Sequence, residues 1–230
     1  MADTTMLVET PNMKLNRRTF DNIPKEKQRH ILEIATWEFA QRGFENANIN
    51  TIAEKAGISV GSLYKYFDSK KQLFLMTVQS GVEVLEETLA SVMESDLSIM
   101  GKIEKIIRAV QTTSREKSSL IQLYSEMTAV GNAELVKQLS FNIESISATI
   151  YTRMIREGQA SGELRPDMDA AMAAFLFDNL LMSLQFSYAN EYFRERFKVY
   201  VAEDILEHDD FVVNQMLGFV QSALISPQKI

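Results

Sequence analysis

The sequence predicts an all-α fold in which a small N-terminal domain precedes a larger helical domain. Apolar residues recur at steps of three and four along most of the 230 residues, which is the periodicity of amphipathic helices. Alternating apolar and polar runs of strand length are absent from the sequence. We therefore predict a mobile segment over residues 1–23, a first domain over 24–70 and a second domain over 71–230.

The first helix is predicted to begin at Pro24 and to end at Gly43. Proline is favoured at the first helical position, and glycine ends helices because it adopts left-handed backbone angles without steric cost. Between them, Ile31, Ala35 and Phe39 recur on one side of the helix. This side is the predicted core face.

Two short helices follow, joined by a tight turn. Asn48 is the predicted N-cap of a helix over 49–56, and Ser59 is the predicted N-cap of a helix over 59–67. Gly57 supplies the positive φ that the turn between them needs. The spacing of these three residues predicts a helix-turn-helix.

The segment 57–61 offers a functional alternative because it has the pattern Gly-x-Ser-x-Gly. In one class of hydrolases this pattern holds a nucleophilic serine on a turn between a strand and a helix. Before Ser59 the chain reads NINTIAEKAG, which is typical of a capped helix, and its only imidazoles are His30 and His208. We therefore expect Ser59 to bind backbone amides, and we expect no catalytic residues.

The rest of the chain predicts longer helices. Ser69-x-x-Gln72 fits a capping box before a helix whose apolar face runs over residues 74–92, and a second such face runs over 135–154. The segments 169–191 and 209–225 are apolar on nearly all sides, so nearly all of their surface must be buried. A second subunit is the simplest cover, and the alternative is that both segments complete the core of a monomer.

Charge is distributed unevenly along the chain, whose net charge is −7. Residues 14–71 carry eleven Lys and Arg against seven Asp and Glu, whereas residues 72–230 carry thirteen against twenty-two. A locally basic domain can dock on phosphate while an acidic remainder is held away. No cysteine is present, and no apolar run is long enough for a signal peptide or a membrane helix. We expect a cytoplasmic protein without a membrane segment, metal site or cofactor.

The block IAEKAGISVGSLYKYFDSKKQLF, together with Gly43-Phe44 at the end of the first helix, resembles the DNA-binding domain of the TetR (tetracycline-repressor) family of bacterial regulators. The resemblance covers residues 24–74 and implies that the helix over 59–67 enters the major groove of double-stranded DNA. The candidate DNA-binding residues are Asn48, Asn50, Ser59, Val60, Gly61, Ser62, Tyr64, Lys65, Tyr66 and Lys70.

Several of these residues have chemistry suited to DNA. Val60 can pack on a thymine methyl group, and Asn50 either pairs with adenine or simply belongs to the helix cap. Lys70 lies in the first turn of a helix, where the dipole disfavours a cation unless a phosphate is bound there. Lys14, Arg17 and Arg18 either track the DNA or form a solvated tail.

The resemblance also implies the role of the second domain. Its segments 169–191 and 209–225 would form a homodimer interface, and its interior would hold a small hydrophobic effector that releases the protein from a palindromic operator. The candidate effector-binding residues, each of which is alternatively plain core, are Tyr124, Met127, Phe141, Met154, Phe175, Asp178, Asn179, Met182 and Phe186.

Two other classes of function fit the sequence less well. A di-metal enzyme in a helical bundle needs Glu-x-x-His pairs, and neither histidine has a glutamate three residues before it. A dimeric protein-interaction adaptor without sequence-specific DNA binding would explain the charge asymmetry. It would not explain the spacing of Asn48, Gly57 and Ser59.

Overall fold

The computed structural model describes residues 19–127 and 133–225, except for the side chains of residues 126, 127, 133–140 and 142. This part of the chain contains no strand, which confirms the all-α prediction. The helices are α1 (Lys25–Asn46), α2 (Ile49–Lys55), α3 (Val60–Tyr66), α4 (Lys70–Met93), α5 (Ile99–Glu116), α6 (Ser118–Met127), α7 (Ala133–Ser161), α8 (Ala170–Ala189), α9 (Glu191–Tyr200) and α10 (Asp209–Leu224). A short 3-10 helix, Ile205–Glu207, precedes α10.

The first core lies among α1, α2, α3 and the N-terminal half of α4. The predicted face of α1 is buried in it, including Ile31, Ala35 and Phe39. Phe39 meets Phe74 of α4 edge to face, with ring centroids 5.1 Å apart. Gly43 has φ of 69° and interrupts the helical geometry near the end of α1, as predicted.

The first core also includes residues that precede α1. Phe20 is buried, and its ring centroid lies 4.7 Å from that of Phe67. Gln28 Nε2 donates to the carbonyl oxygens of Asp21 and Ile23, at 3.3 and 2.8 Å. Residues 19–23 therefore pack against the first domain, although they were predicted to belong to a mobile segment. The buried side chain of Phe20 anchors them, and no helical repeat in the sequence marks this contact.

The helix α4 continues through the predicted boundary between residues 70 and 71. Its first half, up to Val82, packs in the first core, whereas Leu89 and Val92 pack in the second core. Ser69 Oγ accepts the backbone N–H of Gln72 at 3.1 Å, and the Gln72 side chain accepts the backbone N–H of Asp68. The predicted cap is thus present. The Gln72 side chain, however, binds the backbone N–H of Asp68 and not that of the N-cap residue Ser69.

The second core is formed by the C-terminal half of α4 with α5, α7, α8 and α10. A polar cluster fastens α10 to α5 and α8. Gln111 Nε2 donates to the Tyr188 hydroxyl at 2.7 Å, and Arg115 forms an ion pair of 2.6 Å with Asp209. The start of α10 is therefore fixed by directional bonds as well as by apolar packing.

Candidate functional site

The helix-turn-helix is built by two side-chain caps and one glycine. Asn48 Oδ1 accepts the backbone N–H of Asn50 at 2.8 Å at the start of α2, and Ser59 Oγ accepts that of Ser62 at 3.0 Å at the start of α3. Gly57 lies between the helices with φ of 64°, and a Cβ atom there would meet no atom within 4 Å. The glycine is therefore required for its backbone angle and not for space.

The same geometry argues against a nucleophilic role for Ser59. The segment that precedes it is helix α2 and a turn, not a strand. Its hydroxyl lies 2.8 Å from the Ser62 hydroxyl and caps α3. The Gly-x-Ser-x-Gly pattern therefore belongs to a helix-turn-helix, and a strand-to-helix nucleophile elbow is not formed here.

The candidate DNA-binding residues divide into exposed and half-buried side chains. Tyr64 is 52% exposed, and the exposed group also includes Asn48, Asn50, Ser59, Gly61 and Lys65. Val60 is half-buried and packs against the first core. Tyr66 is half-buried as well, with its ring centroid 5.8 Å from that of Phe20. Val60 and Tyr66 therefore pack α3 against the first core, while part of each side chain remains accessible to solvent.

Lys70 has a partner within the protein. Its Nζ donates to the carbonyl oxygen of Glu45 at 2.7 Å and lies 5.3 Å from the ring centroid of Phe44. The ammonium therefore meets a free carbonyl near the end of α1, which offsets its unfavourable position at the start of α4. A bound phosphate is therefore not needed to stabilise the Lys70 ammonium at this helix start. Lys71, the next residue, is exposed.

A cavity of about 160 Å³ lies between α4, α5, α6, α7 and α8. Its walls on α4 and α5 are mainly apolar and include Val82, Leu85 and Ile106. Of the nine predicted effector-binding residues, Tyr124, Asp178 and Met182 line it. Sequence reasoning missed the contributions of α4 and α5, because their apolar residues looked like ordinary core.

The other predicted residues lie elsewhere. Met154 is buried in the second core, and Phe186 stacks behind Tyr124 with ring centroids 5.8 Å apart. Phe175, Asn179 and Phe141 are exposed. The side chain of Met127 lies outside the described residues. Because α8 is apolar nearly all round, its sequence does not show which side faces the interior, and Phe175 was assigned to the wrong side.

One end of the cavity is polar, and we call it the acidic end. It is formed by Tyr124, Glu144, Ser147, Tyr151 and Asp178. The Tyr124 hydroxyl donates to Glu144 Oε1 at 2.5 Å, and Ser147 Oγ donates to the carbonyl oxygen of Glu144 at 3.2 Å. Glu144, Ser147 and Tyr151 were missed. Their spacing of three and four along α7 was the available signal, because it runs beside the predicted apolar stripe.

The acidic end perturbs the groups that form it. Burial, followed by the negative charge of Glu144, raises the pKa of Asp178 to about 6, while the nearby Ser147 hydroxyl opposes the rise. Burial and the hydrogen bond to Glu144 raise the pKa of Tyr124 well above its usual range. Burial similarly raises the pKa of Tyr151. The site therefore disfavours additional negative charge.

An apolar surface is exposed on α8 and α10, and we call it the α8–α10 face. Phe175 is 61% exposed, and the face also includes Met172, Leu176, Phe211 and Phe219. By length and composition alone, α8 is the single described helix that would also suffice to cross a membrane, a test that core helices of soluble proteins also pass. Several large apolar side chains exposed on one pair of helices are typical of an interaction surface.

Comparison with known proteins finds regulators that are similar to this chain. Residues 31–76 match the family described as bacterial regulatory proteins, tetR family. The HTH-type transcriptional repressor KstR2 of Rhodococcus jostii is 24% identical over 204 residues, which cover 87% of this chain and 92% of that protein. The HTH-type transcriptional regulator UidR of Escherichia coli is 25% identical over 163 residues, covering 70% of this chain and 82% of UidR.

Solved structures share the fold over most of the chain. The ketosteroid transcriptional regulator KstR2 of Mycobacterium tuberculosis has a TM-score of 0.63 at 16% identity, covering 89% of this chain and 97% of that one. The regulator FadR from Bacillus subtilis, in complex with stearoyl-CoA, has a TM-score of 0.65 at 17% identity, covering 82% and 97%. The match over the helix-turn-helix and the regulator relatives support a DNA-binding transcriptional regulator similar to those of the tetR family, and the solved structures share its fold.

Proposed function

We propose that this protein is a cytoplasmic repressor without enzymatic activity, which binds a palindromic operator as a homodimer and leaves it when a small, mostly apolar effector fills the cavity. Each protomer would place α3 in the major groove. Two copies of α3 would then read half-sites that lie about one turn of the DNA helix apart, which is about 34 Å, or a whole multiple of that distance apart.

The observation that carries this proposal is that the cavity and the first core share walls. Val78 and Val82 of α4 and Leu123 of α6 are buried in the first core and also line the cavity. Tyr124 lines the cavity and packs against the first core as well. Because packed interiors do not deform freely, a ligand that displaces these side chains must also shift the support of the DNA-binding domain.

A chain of hydrogen bonds also connects α1, α6 and the end of α8. Gln41 of α1 donates to the side chain of Gln122 on α6 at 2.8 Å, and Gln122 donates to the carbonyl oxygen of Ala189 at 2.9 Å. The end of α8, the middle of α6 and α1 are therefore tied together. A ligand that moves α6 relative to α8 would change the position of α1, and DNA would oppose that ligand by the same factor.

We assign base contacts to the exposed part of α3, around Gly61 and Tyr64, and to Asn50, which is exposed at the start of α2. Lys65 and Lys71 are exposed and suited to phosphate. Lys70 can add a phosphate contact without leaving the Glu45 carbonyl, because an ammonium group has three N–H donors.

For the homodimer we propose the α8–α10 face as the interface. It exposes large apolar side chains on two neighbouring helices, and pairing with the same face of a second copy would remove them from water. Phe175→Glu together with Phe219→Glu should convert the dimer to a monomer in light scattering after gel filtration. Tyr192→Glu, which changes an exposed aromatic residue of α9, is the matched control and should leave the dimer intact.

The proposed operator is tested by selecting bound fragments from a random duplex pool and measuring affinity by fluorescence anisotropy at several salt concentrations. We expect an enriched palindrome and a strong loss of affinity with salt. Lys65→Ala should weaken binding to all duplexes and reduce the salt slope by about one. Lys105→Ala, an exposed lysine of α5, is the matched control. Equal affinity for every duplex, or no binding, would contradict the proposal and favour the adaptor alternative.

A further inference from the structure

The acidic end of the cavity carries two carboxylates and no basic partner. Glu144 and Asp178 both line the cavity, and no Lys, Arg or His is among the lining residues that the structure describes. Two carboxylates beside each other in an otherwise apolar space repel one another and lose hydration. The raised pKa of Asp178 has these causes, burial first and the charge of Glu144 second.

Tyr151 supplies a second, independent observation. It is 2% exposed and lines the cavity, and its hydroxyl makes no hydrogen bond to any residue in the described part of the chain. The negative charges of Asp178 and Glu144 both act on this hydroxyl, which places it at the acidic end. Buried hydroxyl groups are nearly always hydrogen-bonded, so an unpartnered one at a cavity wall indicates a polar group of a ligand.

Two of the three hydroxyl groups that α4 and α5 contribute to the lining, those of Thr88 and Ser114, already have acceptors within their own helices. Thr88 Oγ1 donates to the carbonyl oxygen of Val84 at 2.7 Å, and Ser114 Oγ donates to that of Val110 at 2.6 Å. Because these bonds lie within α4 and α5, those walls offer mainly apolar surface. A ligand in this cavity therefore meets polar groups chiefly at one end.

We propose that the effector is a small amphiphilic cation, in which one ammonium group faces Glu144, Asp178 and Tyr151 and an apolar body fills the rest of the cavity. This inference rests on the proposed effector-release function and names the chemical class of its ligand. An ammonium group only donates hydrogen bonds, and both carboxylates and the tyrosine oxygen accept them. The rings of Tyr124 and Tyr151 add faces that attract a cation.

The charge of the acidic end argues against an anionic ligand. A fatty-acid carboxylate or a phosphate placed there would bring a third negative charge beside Glu144 and Asp178, with no basic side chain in the described lining to compensate for it. The stearoyl-CoA bound by Bacillus subtilis FadR belongs to this anionic class. Similarity of fold therefore does not extend to the class of effector.

The first test compares three ligands that share one apolar chain and differ in the head group: n-octylammonium, n-octanol and n-octanoate. Their dissociation constants for the full-length protein are measured by calorimetry at pH 7.5, below micelle-forming concentrations. We expect n-octylammonium to bind at least about tenfold more tightly than n-octanol, and n-octanoate to bind most weakly. Binding of n-octanoate that equals or exceeds that of n-octylammonium, or no binding of any of the three, would overturn the inference.

The second test removes one negative charge at a time without changing side-chain shape. Asp178→Asn and Glu144→Gln should each weaken n-octylammonium binding by about tenfold and change n-octanol binding by less than about twofold. Glu87→Gln, an exposed carboxylate of α4 outside the lining, is the matched control and should change neither. Unchanged n-octylammonium affinity in both folded cavity variants would refute the role of the carboxylates.

Failure of this inference is distinguishable from failure of the proposed function. Operator selection uses the protein without ligand and does not depend on which head group fits the cavity. If an operator is selected and n-octanoate, but not n-octylammonium, releases it, only the cationic class is wrong. If no operator is selected, the repressor proposal fails whatever binds in the cavity.

Discussion

Glu38 in the first core and Asp178 in the second domain are both carboxylates removed from bulk water, yet their surroundings differ. Glu38 is 4% exposed, and its Oε1 accepts the backbone N–H of Asn48 at 3.1 Å, so it connects α1 to the cap of α2. Asp178 faces a cavity and has the carboxylate of Glu144 nearby. In the first core the buried carboxylate of Glu38 holds the backbone at the start of α2. In the second domain the carboxylate of Asp178 lies at the wall of a cavity that a ligand can occupy.

The largest expected effect concerns packing in the first core. Phe39→Ala would leave a void beside Phe74, and we expect it to lower the free energy of unfolding by about 3–5 kcal/mol. Met182→Ala, at the wall of the existing cavity, should cost much less because that side chain is only half-buried. Urea unfolding followed by circular dichroism measures both. Equal losses would show that the two regions are packed alike.

A smaller effect is expected at Glu38. Glu38→Ala removes the acceptor for the N–H of Asn48 and should lower the free energy of unfolding by about 2 kcal/mol. Glu38→Gln keeps a carbonyl oxygen at the same place, so its cost should stay below about 0.5 kcal/mol if the hydrogen bond matters more than the charge. A full loss in Glu38→Gln would instead assign the effect to the charge.

The opposite sign is expected at Asp178. Its pKa is raised to about 6 in the folded state, so its contribution to stability is greatest below the unfolded pKa of about 4 and is lost as the pH rises through 6. Asp178→Asn should therefore raise the free energy of unfolding at pH 8 by about 1–2 kcal/mol, allowing for partial exposure. The difference between variant and wild type should largely vanish at pH 4. Destabilisation at pH 8 would show that the carboxylate is better satisfied than its surroundings indicate.

The difference between the two regions also explains what the sequence could predict. The helix-turn-helix is encoded locally, since the caps at Asn48 and Ser59 and the positive φ at Gly57 depend on neighbours within a few residues. The cavity depends on how distant helices are rotated. Sequence spacing identified Asp178 as a candidate, but only the rotation of α8 decides that Asp178 faces inward and Phe175 faces out.

Two further features escaped prediction for similar physical reasons. Phe20 packs on Phe67 through a contact that spans almost fifty residues, and no helical repeat marks it. Lys70 was expected to need a phosphate, but its ammonium donates to the carbonyl oxygen of Glu45, which lies 25 residues earlier near the end of α1. Both outcomes depend on where separate segments meet and not on the character of either segment alone.

The smallest expected effect tests the locally encoded cap of α3. Ser59→Ala removes the acceptor for the backbone N–H of Ser62 and should lower the free energy of unfolding by about 1 kcal/mol, whereas Ser59→Gly should cost only a few tenths. Urea unfolding measures both variants, and operator affinity measured at a temperature where both are folded separates stability from recognition. If Ser59 only caps the helix, the Gly variant should retain operator affinity within about threefold, since the backbone amides of α3 stay in place. A large affinity loss in Ser59→Gly with unchanged stability would instead place the hydroxyl on the DNA itself.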